Sequence, residues 1–89
     1  MKRWRVLVAR GAERTLARLP ERVASAIVEF MLGPLVERPH QVGKPLHAEL
    51  EGYWSARRGA YRIVYRIDDK QREVRVVRID HRADVYRPM

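Results

Sequence analysis

A turn at Gly59-Ala60 sets two arginines against each other in the stretch Y-W-S-A-R-R-G-A-Y-R-I-V-Y-R, residues 53–66. A two-residue loop there pairs Arg57 with Arg62 across an antiparallel hairpin. Like charges directly opposite on a sheet repel. Either two long side chains splay into water, or an anion sits between them. His81, Arg82 and Tyr86 lie downstream and add weight to the anion. Arginine presents a planar fork of donors to phosphate, but it stays protonated and is a poor base. Histidine ordinarily titrates near neutrality. Tyrosine can stack on a base or donate a proton. Cleavage of RNA by its own 2′-OH needs a base for the hydroxyl proton, cations for the phosphorane and an acid for the departing 5′-oxygen. These residue types match that list. By composition alone His81 reads as a surface histidine at a strand end.

The elements around these residues follow from pattern. In the hairpin, Trp54 faces Tyr65 and Ala56 faces Ile63 on an apolar side. Tyr53 faces Arg66, Ser55 faces Val64 and Arg57 faces Arg62 on a basic side. Residues 3–9 alternate as an opening strand, with Trp4, Val6 and Val8 on one side, and Gly11 breaks it. A short helix is expected over 12–19, with Ala12, Thr15, Leu16 and Leu19 on its stripe. Pro20 suits the first turn of a second helix, which carries Val23, Ile27, Phe30 and Met31 inward. Gly33-Pro34 ends or kinks that helix, with room for one further turn at Leu35 and Val36. Residues 37–45 read as loop, and 46–52 as a connector. A turn at 68–71 leads to a last strand over 72–79. A two-residue loop at 69–70 would set Tyr65 against Val74, Ile63 against Val76 and Arg66 against Glu73. Arg78 would then fall on the apolar side, so a bulge near it is expected. The order is that of an α+β fold: an N-terminal strand and helical hairpin packed on one face of a mostly antiparallel sheet.

The chain of 89 residues is expected to form a single domain over 1–89. Hydrophobic residues make up 46%, enough for a core and against disorder. Lysine and arginine number 19 against 11 acids, a net charge of +8 that favours a polyanionic partner. Only Lys2, Lys44 and Lys70 are lysines, a bias that phosphate recognition or a GC-rich genome would each produce. The absence of cysteine excludes disulfides and zinc–cysteine sites. His40, His47 and His81 lack ligand spacing, so no metal is expected, and no cofactor motif is present. No apolar run reaches membrane-spanning length, and the charged start is unlike a signal peptide, so a cytoplasmic location is expected.

The pattern W-x-x-R-x-G-x-Y-R-x-x-Y at Trp54 to Tyr65, followed by I-D-H-R-A-D-V-Y at Ile79 to Tyr86, resembles the RelE/ParE superfamily of type II toxins. The resemblance spans the whole chain. It includes A-x-x-x-L-x-x-L-P ending at Pro20 and G-K-P-L at Gly43 to Leu46, and it is closest to the actinobacterial RelE branch. It implies a ribosome-dependent mRNA endonuclease, neutralised by a cognate antitoxin and reaching operator DNA only through it. The mRNA in the ribosomal A site would be the substrate, with no membrane partner. Arg62 matches an arginine that stabilises the phosphorane, Arg82 the C-terminal catalytic arginine, and Tyr86 a tyrosine that orients the nucleotide. Arg57 and Ser55 stand where some members have catalytic lysines. That departure leaves the general base open, and His81, beside Arg82, is the candidate for it. Lys44, Ser55, Arg58 and Arg66 are expected to contact RNA around this centre. The alternative the family admits is a ParE-like inhibitor of DNA gyrase without catalysis.

Overall fold

Residues 4–84 are described in a computed structural model. The chain begins with strand β1 (Arg5–Val8) and runs through helices α1 (Arg10–Arg18), α2 (Glu21–Leu32) and α3 (Pro34–Glu37). Strands β2 (Lys44–Pro45), β3 (Trp54–Arg58), β4 (Tyr61–Asp68) and β5 (Glu73–His81) follow. A short 3₁₀ turn, Ala48–Leu50, separates β2 from β3, and another, Arg82–Asp84, follows β5. The sheet order is β1-β5-β4-β3-β2, with β1 parallel to β5 and every other pair antiparallel.

Helix α1 begins earlier than its pattern predicts. Gly11 lies in its first turn rather than breaking a strand, and Thr15 Oγ1 donates back to the Gly11 carbonyl at 3.1 Å. Pro20 sits one position before α2, where its missing N–H costs nothing. Gly33 separates α2 from α3, and Pro34 starts the extra turn. The helices bury the stripe that their periodicity marks, Ala12 on α1 with Ile27, Phe30 and Met31 on α2, and α3 adds Leu35. These pack against Ala56, Ile63, Tyr65, Val74, Val76 and Ile79 of the sheet. Each fully buried aliphatic or aromatic side chain here contributes about 1.5–3 kcal/mol relative to exposure.

The central hairpin has the register that its pattern requires: Trp54 with Tyr65, Ser55 with Val64, Ala56 with Ile63, Arg57 with Arg62. Gly59, at φ 59°, supplies the left-handed residue of the tight turn. The second hairpin differs from expectation. Its loop is two residues longer, so Tyr65 meets Val76 and Ile67 meets Val74, and Arg66 faces Arg75 instead of Glu73. The cause is local. Asp68 Oδ1 accepts the Gln71 N–H at 3.0 Å, and Arg72 takes a positive φ of 51°, which prolongs the turn before pairing resumes. A shift of two residues preserves which side each residue faces, so the core is unaffected. The expected bulge is present, opposite Val64 and Tyr65, which pair with Arg78 and Val76. It leaves Val77 as the extra residue and keeps Arg78 off the apolar side. Strand β2, inside the segment expected as loop, pairs Lys44 with Ser55 and Pro45 with Trp54.

Candidate active site

Strand alternation divides the candidates between two sides of the sheet. Ile63 and Tyr65 point into the core, so Arg62, Val64 and Arg66 point to the side without helices. Pairing carries that side across the sheet, to Lys44, Ser55 and Arg57 in one direction and Asp80 and Arg78 in the other. Arg57, Arg62 and Asp80 thus form one row over three strands. Asp80 is engaged within its own strand, its Oδ2 accepting from Arg78 Nε at 2.6 Å. Among the described residues, neither the Arg57 nor the Arg62 guanidinium has a hydrogen-bond or ion-pair partner.

A cleft of about 520 Å³ opens here, lined by Gln41, Val42, Gly43, Lys44, Ser55, Arg57 and Arg62. Its outer wall is the loop after α3, which is fixed from several directions. The Arg38 carbonyl accepts from the N–H groups of Gln41 and Val42. The buried Tyr65 hydroxyl donates to the Pro39 carbonyl at 2.8 Å, and burial pushes the Tyr65 pKa up to about 12. His40 packs edge-on between Trp4 and Trp54, with ring centroids 5.4 and 5.6 Å away, and its Nε2 lies 3.0 Å from Asp69 Oδ1. Gly43 passes so close to β3 that a Cβ would strike the Tyr65 hydroxyl and approach the Ser55 carbonyl oxygen to 2.7 Å. That close approach delivers Lys44 to the Arg57–Arg62 side. No signal weighed in the sequence pointed to Gly43; G-K-P-L held it, but only as a family motif.

Not every expected site residue gathers at the cleft. Arg58 lies on the helix side, its guanidinium 3.9 Å from the centroid of the Phe30 ring, while its Nη1 donates to the Arg57 carbonyl. His81 pairs with Tyr61, an inward position, and its ring meets the Tyr61 ring edge-on at 5.2 Å. It therefore projects to the side opposite Arg62, and its Nδ1 accepts the Ala83 N–H at 3.1 Å. Adjacency to Arg82 in sequence does not place His81 beside Arg62, because along β5 it is Asp80, not His81, that shares the side of Arg62. Arg82 itself is exposed, and its N–H donates to the Ala60 carbonyl at 2.6 Å, which holds the C-terminal turn at the hairpin-tip end of the sheet. Arg66 shares the open side and lies 5.3 Å from the Tyr53 ring centroid. Tyr86 lies outside the described residues. No group of three or more metal-ligating side chains occurs among the described residues. Among the described residues, no helix is long and apolar enough to cross a membrane.

An open cationic cleft on an α+β sheet is shared by many binding proteins, and comparison narrows the choice. Residues 6–86 match the family described as the ParE toxin of the type II toxin-antitoxin system, parDE. The chain belongs to the RelE/ParE superfamily of type II toxins. Within it, the chain is 55% identical over 76 residues to Toxin RelG of Mycobacterium tuberculosis, covering 85% of this chain and 87% of that one. It is 50% identical over 84 residues to Toxin RelE of the same organism, covering 94% and 87%. Its fold matches the solved toxin-antitoxin complex RelBE2 of M. tuberculosis with a TM-score of 0.88 at 50% identity, over 94% of this chain and 97% of that chain. The archaeal RelE–RelB complex of Pyrococcus horikoshii shares the fold at 21% identity, with a TM-score of 0.72 over 89% and 94% of the two chains. This toxin thus falls with the actinobacterial RelE branch.

Proposed function

We propose that this toxin is a ribosome-dependent mRNA endonuclease. The observation that carries the reading is the Arg57–Arg62 pair, opposed across the hairpin in an open cleft with no carboxylate among the described residues committed to either. Such a pair is stabilised by an anion, and a phosphorane carries more charge than the phosphodiester it forms from. In the step itself the 2′-oxygen bonds to phosphorus while its proton leaves to a base. The bond from phosphorus to the 5′-oxygen then breaks, and that oxygen takes up a proton. Arg62 and Arg57 hold the non-bridging oxygens, and Lys44 and Ser55 contact the flanking backbone. Arg82, held at the same end of the sheet, adds a third guanidinium, and Tyr86 orients the nucleotide. His81 faces away from this row, so the 2′-OH proton passes to Tyr86 or to a ribosomal group.

The partner is a cognate antitoxin, a reading that the likeness to the RelBE2 toxin-antitoxin complex supports; acidic side chains on it would complement the basic surface. The family description as ParE favours a second reading, inhibition of gyrase without catalysis. Labelled precursors after induction separate the two. Early loss of methionine incorporation, with new mRNA 5′ ends inside codons, supports the nuclease. Early loss of thymidine incorporation with DNA damage supports gyrase inhibition and removes the nuclease reading.

A further inference from the structure

The open side of the sheet carries a second opposed arginine pair. Arg66 on β4 faces Arg75 on β5, and both are exposed. Three carboxylates lie in the hollow beside them, with Lys70, yet each already has a partner. Asp68 accepts the Gln71 N–H, Asp69 meets His40, and Glu73 meets Arg5 at 2.8 Å. Among the described residues, neither the Arg66 nor the Arg75 guanidinium has a hydrogen-bond or ion-pair partner, and Arg66 lies 5.3 Å from the Tyr53 ring centroid. The longer loop of the second hairpin creates this arrangement, since the shorter one would have neutralised Arg66 with Glu73. Arg62 and Arg66 stand four residues apart on one side of one strand, about 13 Å. The two pairs therefore lie on a single track.

We propose that Arg66 and Arg75 form a second phosphate position, which holds the RNA strand away from the scissile phosphate. The inference rests on the nuclease reading for the identity of the ligand. Its occupant is a single-stranded RNA backbone, because the pair lies along β4 from the Arg57–Arg62 pair already assigned to phosphate and reads charge alone. It contributes to binding and not to the chemical step.

The test measures anisotropy of a labelled octaribonucleotide, with 2′-deoxyribose at the cut position, across a salt series. Full-length toxin and the Arg66→Gln/Arg75→Gln variant are compared, with a dinucleotide as the short probe. Two phosphate contacts on a single strand account for a slope change of about 1.4 in log K against log salt. The variant is therefore expected to bind the octanucleotide about 25-fold more weakly at 0.1 M salt than the parent, and the dinucleotide equally well. Arg66→Lys/Arg75→Lys is expected to restore most of the slope. An unchanged slope in the Gln variant overturns the proposal. So does a loss confined to antitoxin affinity, which would assign the pair to an acidic protein. Cleavage on programmed ribosomes is scored separately: parent cleavage with an unchanged slope overturns this inference alone, whereas no cleavage overturns the nuclease reading.

Discussion

Tyr65 shows how one side chain joins core and site. Its ring is fully buried, and its hydroxyl carries the hydrogen bond that holds the cleft wall. Tyr65→Phe leaves the Pro39 carbonyl unpaired in the interior and is expected to cost about 1–3 kcal/mol in denaturant unfolding. The raised pKa adds a signature. Below pH 10 folded and unfolded states both keep the phenol proton. Between about 10 and 12 only the unfolded state loses it, so stability falls as pH rises, by about 2–3 kcal/mol in all. The difference between parent and Tyr65→Phe stability should therefore shrink over that window. A constant difference would show that the phenol ionises as easily in the folded chain. On the basic side, Arg62→Ala is expected to slow cleavage on programmed ribosomes by about 10²–10³-fold with the melting temperature unchanged or higher. Its partner in sequence logic behaves differently. His81→Gln should change the single-turnover rate less than about threefold, far below the 10²–10⁴ of a general acid or base. A loss of that larger size in a folded variant would return His81 to the mechanism.

At the scale of elements, the cleft depends on how the segment after α3 meets the edge of β3. Strand β2 is only two residues long, and Gly43 is what lets it dock. Gly43→Ala must push against backbone at Ser55, which cannot rotate away as a side chain tip would. Overpacking of this kind costs about 1–3 kcal/mol. The expected outcome is lower stability together with a raised KM, because Lys44 moves off the arginine row. Normal stability and KM in Gly43→Ala would mean that the strand edge has slack. The bulge at Val77 is the second positioning device. It rotates Arg78 to the open side, where the Arg78–Asp80 ion pair keeps Asp80 from neutralising Arg62.

The whole molecule is a two-sided object. Helices and core occupy one side of the sheet, and the other presents opposed arginines under a net charge of +8. Free charge of one sign speeds encounter with polyanions and with acidic protein segments alike. Co-expression with the neighbouring antitoxin is expected to give a stable complex whose association rate falls steeply with salt. The free chain is expected to arrest growth. Unhindered growth at high expression of folded, unaltered chain would refute the toxin activity proposed.

The hairpin of residues 53–66, its register and the helical stripes were legible because local signals agreed: a turn glycine, period-two alternation and period-3.6 spacing. The Arg57–Arg62 pair followed from those signals alone. What sequence could not supply was each position that depends on a contact distant in the chain. Strand β2 exists because Tyr65 and Ser55 receive Gly43, twelve or more residues away, and no local propensity records that. The length of the second hairpin was decided by one Asp68 hydrogen bond and the backbone of Arg72, between alternatives that bury the same side chains. Alternation then separated His81 and Arg58 from the arginines beside them in sequence, and the same shift brought Arg75 opposite Arg66. Composition and periodicity determine which residues are buried; register, set by a few hydrogen bonds, determines which charges meet.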